Sequence, residues 1–70
     1  MNNYYLNKNA QSNGDHEVHT ESCQFLPSVL NRTFLGAFAS CTYAITKAKD
    51  LAAFKKINGC IFCSRPCHTS

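Results

Sequence analysis

The segment Asn58-Gly59-Cys60-Ile61-Phe62-Cys63 sets two cysteines on either side of a two-residue spacer, directly after a glycine. A Cys-x-x-Cys turn can direct both thiolates at one ion. Zinc then needs two more ligands to complete a tetrahedron with bonds of roughly 2.3 Å to sulfur and 2.0 Å to nitrogen. A second pair stands earlier in the chain, where His19 and Cys23 flank three residues. The two spacings predict one zinc ion that joins the two parts of the chain, with these ligands: His19, Cys23, Cys60 and Cys63.

The spacing leaves the fourth ligand open between three residues. Cys67 and His68 follow the second pair closely, and either of them can replace His19. Adjacent residues seldom bind one ion together, so only one of the two is expected in the same site. The run from Cys60 to His68 can also form a site with Cys23 alone.

The length of the chain explains why a metal would be needed. Its 70 residues predict one zinc-binding domain over 1–70. Ordering a chain costs on the order of 1.5 kcal/mol per residue, which the core of so small a domain barely offsets. A structural zinc ion supplies roughly 10 to 16 kcal/mol of apparent binding free energy in zinc-finger peptides, so it can decide whether such a domain folds.

Five cysteines also allow a disulfide interpretation. The first eight residues, Met1 to Lys8, show no charged stretch followed by an apolar run, as a secretory signal would. An odd number of thiols without such a signal favours a reducing compartment, so we expect a cytoplasmic protein that binds metal. A secreted peptide held together by disulfides is the third-ranked alternative. No apolar run approaches the roughly 20 residues of a membrane span, and no membrane partner is expected.

The formal net charge of +3 comes from seven Lys and Arg residues against four Asp and Glu residues. A site with three thiolates, one neutral histidine and Zn²⁺ adds about −1, which leaves a mildly basic protein. This balance is compatible with a nucleic-acid partner but does not require one. The candidate contacts are Arg32, Lys55, Lys56 and Arg65.

The pattern of residues predicts a small α+β zinc-stabilised domain, with short β-strands packed against one main amphipathic helix. Tyr4-Tyr5-Leu6 predicts a short strand and 7–15 a loop rich in Asn, Ser and Gly. Aromatic and β-branched residues favour a second strand over 32–38, with Gly36 at a bulge or a close approach. Phe34 and Phe38 are then expected on the same side of that strand.

Ser40 is the expected N-cap of the main helix. An apolar face follows at helical spacing, formed by Cys41, Ala44, Ile45, Ala48, Leu51 and Ala52. Because Lys55 would fall in the middle of that face, the helix is expected to bend or restart near Ala53, with Phe54 and Ile57 reaching the core. Asn58-Gly59 predicts a turn, and 64–70 a flexible tail. Cys41 is expected to be a small buried side chain, and His16 a surface histidine.

The order of these motifs resembles the Ada-like zinc-binding module, which is found at the N-terminus of the Ada DNA-repair protein. The resemblance covers about residues 5–63. It also extends to small stand-alone bacterial proteins that end in Gly-Cys-x-x-Cys and Cys-His-Thr arrangements. The matching motifs are Asn7-Lys8-Asn9, His19-x-x-x-Cys23, Asn31-Arg32, a strand that ends in Ser40, a helix with Ala44, and Cys60-x-x-Cys63.

The resemblance implies a compact zinc module with the same four ligands. In Ada, the first cysteine of a Cys-x-x-x-Cys pair accepts a methyl group from DNA phosphotriesters. His19 stands at that position here. Because an imidazole is no comparable nucleophile, the resemblance does not imply methyl transfer.

Two classes of function remain. The favoured one is a non-enzymatic module with structural zinc that binds nucleic acid or a protein, as a monomer and without a small-molecule substrate. The alternative is chemistry at a zinc thiolate or at a free Cys67, in redox reactions, metal handling or alkyl acceptance. The sequence supplies no orienting acid and no oxyanion hole for a catalytic Cys-His dyad, so no catalytic residues are expected.

Overall fold

The computed structural model describes residues 1–69 as a four-stranded sheet with one α-helix. The predicted α+β fold class is confirmed. Two short 3₁₀ turns lie outside these elements, at Val29–Asn31 and Arg65–Cys67. The strands and the helix, in chain order, are β1 (Asn2–Asn7), β2 (Asp15–Thr20), β3 (Arg32–Phe38), α1 (Cys41–Leu51) and β4 (Lys56–Gly59).

The strand order is β3-β1-β2-β4. β1 is antiparallel to both of its neighbours, whereas β2 and β4 run parallel. As a result, β2 and β4 end at the same end of the sheet, which we call the cysteine end because Cys23, Cys60 and Cys63 follow there. At the opposite end β1 stops and the other three strands begin, so that Asn7 pairs with Arg32 and Asp15 pairs with Lys56. We call this the loop end.

The helix covers one face of the sheet and forms the core with it. Small side chains let the helix lie close to the strands, and the buried side chains are Tyr4, Leu6, Val18, Leu35, Cys41, Ala44 and Ala48. Ile45, Ala52 and Ile57 are partly buried against this cluster. Within residues 1–69, no helix is long and apolar enough to cross a membrane.

The helix follows the sequence prediction at its start and departs from it at its end. Ser40 is the N-cap, although its hydroxyl makes no capping hydrogen bond. The helix stops at Leu51, and the chain leaves helical geometry at Ala52, close to the bend or restart expected near Ala53. Phe54 is fully exposed, so the prediction that it reaches the core is wrong, and Leu51 is 55% exposed although it falls on the apolar face. The chain turns away from the core between Ala52 and Lys55 and returns to it only at Ile57.

A β-bulge in β3 changes which side chains share a face. Tyr4 pairs with Gly36 and Tyr5 pairs with Phe34, which leaves Leu35 as the extra residue. Gly36 has a φ of +135°, a conformation that favours glycine, so its predicted place at a bulge is confirmed. Because the extra residue shifts the alternation by one, Phe34 packs on Tyr5 on the open face, away from the helix.

Phe38 packs instead on Tyr4, which belongs to the core. The prediction that Phe34 and Phe38 face the same side is therefore wrong. A period of two residues holds only for a strand without an insertion.

The segment after β4 is held against the sheet. Asn58 and Gly59 are the last residues of β4 and form no turn, contrary to the prediction. A Cβ on Gly59 would lie 2.7 Å from the Cys67 Cβ atom and 2.7 Å from the Ser64 carbonyl oxygen, so only glycine fits under this segment. The Thr69 backbone N–H donates to Asn58 Oδ1. The tail expected to be flexible is thus anchored through Thr69, and Ser70 lies outside the described residues.

A disulfide joins Cys41, at the start of α1, to Cys67. Cys41 is buried as expected, but it is not a free thiol, and neither is Cys67. The three remaining cysteines are free. The bridge removes part of the argument for a reducing compartment, because disulfides rarely persist in one. Cytoplasmic location stays a prediction.

We expect Gly36→Val to lower the free energy of unfolding by about 1 to 3 kcal/mol, because valine tolerates a positive φ poorly and its Cβ would lie 3.0 Å from the Phe38 ring. Chemical denaturation measures the change. The matched control is Ala37→Val at the next, exposed position of β3, where a shift within about 0.5 kcal/mol is expected. Equal stability of the two variants would contradict the role given to the bulge.

Candidate metal centre

The parallel pairing of β2 with β4 builds a cluster of four side chains at the cysteine end. His19 is the second-to-last residue of β2, and Cys23 follows that strand after a tight turn. Cys60 directly follows β4, and Cys63 follows within the next turn. Since the two strands end side by side, two pairs far apart in sequence meet in space.

The geometry of the cluster fits a tetrahedral ion. The four candidate ligand atoms all lie within 4.8 Å of one another. Cys23 Sγ is 3.9 Å from Cys60 Sγ, and Cys63 Sγ is 3.8 Å from His19 Nδ1. A regular tetrahedron with zinc–sulfur bonds of about 2.3 Å has sulfur–sulfur edges of roughly 3.8 Å. The structure therefore brings together the four residues that the sequence predicts as ligands, at separations that a single metal ion can bridge.

The backbone around the cluster donates hydrogen bonds to its sulfur atoms. The Thr20 N–H donates to Cys63 Sγ at 3.3 Å. The backbone N–H groups of Phe25, near Cys23, and of Phe62 and Cys63, near Cys60, lower the pKa of those two thiols, although burial raises it more. Such donors stabilise negative charge on sulfur and fix the direction of each side chain. The two turns are thus arranged for thiolates, the form in which cysteine binds a metal.

A carboxylate faces the buried ring of His19. Nδ1 points towards Cys63, and Nε2 lies 3.5 Å from Glu17 Oε1. Among the described residues, Nε2 has no hydrogen-bond partner. Burial lowers the pKa of His19, and the nearby Glu17 opposes this only in part. A neutral ring that binds metal through Nδ1 carries its proton on Nε2, facing Glu17, as is common for metal-bound histidine.

The three thiols depend on one another for ionisation. Burial raises the pKa of Cys23 to about 12 and also raises the pKa of Cys60. Burial acts in the same direction on Cys63, but hydrogen bonds from Cys23 and Thr20 outweigh it and lower the pKa of Cys63. Three thiolates this close repel one another, so a cation is needed to ionise all three. The cluster has the chemistry of a cation site as well as its geometry.

The two alternative fourth ligands lie outside the cluster. Cys67 is consumed by the disulfide with Cys41. His68 Nδ1 lies 3.0 Å from the Gly59 carbonyl oxygen and is a hydrogen-bond donor to it. His16 makes a similar bond to the carbonyl oxygen of Asn7, at the loop end. Of the three histidines, only His19 belongs to the cluster.

The four candidate nucleic-acid contacts do not share one surface. Arg32, Lys55 and Lys56 lie at the loop end, whereas Arg65 follows Cys63 at the cysteine end. Lys8, which is not among the predicted contacts, also lies at the loop end beside the start of β3, since its N–H donates to the Asn31 carbonyl oxygen. Sequence reasoning missed Glu17, whose position two residues before His19 on a strand would have indicated a shared face.

Comparisons with protein-family models, curated proteins and solved structures gave no match. The class of protein that the fold and site define is therefore a small α+β domain with a His/Cys₃ cluster suited to a metal ion. The Ada-like resemblance stays a prediction.

We expect His19→Gln to weaken Zn²⁺ affinity at least about 100-fold, because it removes a ligand and not merely a group that orients one. Competition with a chromogenic chelator measures the affinity. His68→Gln is the matched control and should change affinity by no more than about twofold, since its ring bonds only a backbone carbonyl. The opposite ranking would make His68 the fourth ligand.

Proposed function

We propose that the chain is a structural-zinc module that binds a macromolecular partner and catalyses no reaction. The observation that carries the zinc assignment is the set of three cysteine sulfurs and one histidine nitrogen within 4.8 Å of one another. Thiolates favour soft or borderline metals, and a closed tetrahedral set of sulfur and nitrogen ligands is typical of structural zinc.

A structural role follows from where the ligands stand. One pair follows β2 and the other follows β4, so the ion ties the connection between β2 and β3 to the C-terminal segment. The core that this tie supports is small, and three of its seven buried residues are Cys41, Ala44 and Ala48. Such side chains contribute little apolar area, so a large share of the stability must come from cross-links.

The Ada-like resemblance is compatible with this proposal in the order of its ligands, but not in its chemistry. At the position of the methyl-accepting cysteine stands His19, which is buried with its ring between Cys63 and Glu17. We therefore extend to this chain the zinc-binding part of the resemblance and leave out alkyl transfer.

A second candidate, chemistry at the metal-bound sulfurs, is favoured by one observation. Cys23 and Cys63 are partly exposed and line an open cleft of about 530 Å³, together with Asn2, Thr20, Ser22, Gln24 and Phe62. Alkylation of the zinc-loaded protein with iodoacetamide tests it. Thiol chemistry requires one of these two sulfurs to react faster than a free cysteine in a denatured peptide, whereas a purely structural site keeps all three slow.

Removing the metal tests the structural role. We expect native mass spectrometry to find one zinc ion and a chain lighter by two hydrogens, because of the Cys41–Cys67 disulfide. A strong chelator should then abolish the cooperative thermal transition while the disulfide stays intact, since metal binding and folding are coupled. The control is mild reduction without chelator, which should restore the two hydrogens and leave zinc bound. An unchanged melt after complete zinc removal would refute the structural role.

A further inference from the structure

Four cations gather at the loop end of the sheet. Lys8 follows β1, Arg32 is the first residue of β3, Lys55 precedes β4, and Lys56 is the first residue of β4. Two acidic residues lie at the same end: Asp50, which lines a shallow cleft with Phe54 and Lys55, and Asp15, which is buried and accepts hydrogen bonds from the side-chain amides of Asn13 and Asn58. Lys8, Lys55 and Lys56 are exposed, and Arg32 is partly exposed.

This end of the sheet carries the whole formal net charge of the chain. With Lys49 and Asp50 in the last turn of α1, five of the seven basic residues and two of the four acidic residues lie there, which gives +3. The other charges cancel, since Lys47 and Arg65 are matched by Glu17 and Glu21. A zinc site with three thiolates would add about −1 at the opposite end. The molecule is therefore electrically asymmetric along its strands.

Aromatic rings lie next to these cations on the open face of the sheet. The Tyr5 and Phe34 rings contact each other at an angle of 53°, with centroids 5.3 Å apart, and Phe34 is 56% exposed. The Arg32 guanidinium lies 4.6 Å from the centroid of the Tyr5 ring. Phe54, beside Lys55, is fully exposed. Flat rings alternating with cations form a surface on which unpaired bases can stack while the phosphates contact Lys and Arg.

We propose that the loop end and the adjacent open face bind single-stranded nucleic acid, with bases on Phe34 and Tyr5 and phosphates at Lys8, Arg32, Lys55 and Lys56. This rests on the proposed function as a binding module and names the class of its partner. The charge of the surface is complementary to a phosphate backbone. β3 and β4 are the two edge strands, so Arg32 and Lys56 stand roughly 14 Å apart, a span suited to a short run of nucleotides.

A single strand fits this surface better than a duplex. In a duplex the faces of the bases are covered by their neighbours, so Phe34 and Tyr5 would have nothing to stack on. The helix α1 lies behind the sheet, on the face opposite to these rings, and cannot enter a major groove from this side. Glu17 lies one residue beyond the Leu6–Val18 pair towards the loop end, and Glu21 accepts a hydrogen bond from the Tyr5 hydroxyl, so these two carboxylates border the rings and the phosphates must lie on the side of the cations.

Fluorescence anisotropy with zinc-loaded protein tests the proposal. The probes are labelled oligothymidylate and oligouridylate of about 10 nucleotides and a DNA duplex of the same length. We expect at least one single strand to bind about 10-fold more tightly than the duplex. A plot of log affinity against log salt should have a slope of roughly −2 to −3, from three or four phosphate contacts. Tighter binding of oligothymidylate identifies DNA as the ligand, and tighter binding of oligouridylate identifies RNA.

Matched variants separate this surface from general attraction to a polyanion. Phe34→Leu keeps apolar packing but removes the ring, and should weaken binding about 5- to 10-fold. Tyr43→Leu, at a similarly exposed ring on α1, should have no effect. Lys55→Gln should weaken binding and reduce the salt slope by about 0.7. Arg65→Gln at the cysteine end should change neither.

The zinc content of each sample, measured in parallel, keeps the two proposals apart. Zinc-loaded, folded protein that binds neither single strand at low salt overturns the nucleic-acid surface and leaves the structural-zinc role intact. Equal affinity for duplex and single strands, or equal losses in Phe34→Leu and Tyr43→Leu, also overturns it. Binding by folded protein that holds no zinc would support the surface and refute the structural-zinc role.

Discussion

The parallel pairing of β2 with β4 is the constraint on which the rest of this structure depends. Parallel strands need a long connection, and here that connection contains β3 and α1. Because the two strands are parallel, both end at the cysteine end of the sheet, where the turns after them carry the cysteines. An antiparallel arrangement of the same two strands would place His19 and Cys60 at opposite ends. The metal-ligand cluster is therefore a product of topology, and the turns only refine it.

Features that depend on residues close together in sequence could be predicted, and features that depend on distant residues could not. The two ligand pairs could be recognised because the residues of each pair are close in sequence. The helix start at Ser40 and the strand over 32–38 could be recognised because they also depend on neighbouring residues. The Cys41–Cys67 bridge could not, since it joins residues 26 positions apart that meet only after the helix packs on the sheet. A cysteine on an apolar helical face looks the same in sequence whether its thiol is bonded or free.

The errors along the sheet have a similar origin. Alternation in β3 assigns Phe34 and Phe38 to one face, but one inserted residue, Leu35, reverses the assignment for the first half of the strand. Glycine at position 36 marks the bulge without fixing which residue is extra. The reversal matters for function, because it moves Phe34 from the core to the open face and leaves an exposed ring near Arg32.

The disulfide and the candidate metal site overlap along the chain, and this overlap bears on the order in which the two cross-links can form. The disulfide between Cys41 and Cys67 closes a loop that contains Cys60 and Cys63, and the proposed zinc ion joins that loop to Cys23. Cys23 and Cys60 have sulfurs only 3.9 Å apart, so an oxidant that meets the metal-free chain can pair them wrongly. A metal ion bound to those thiolates would leave Cys41 and Cys67 as the pair free to oxidise. Metal loading before oxidation would then favour the Cys41–Cys67 disulfide.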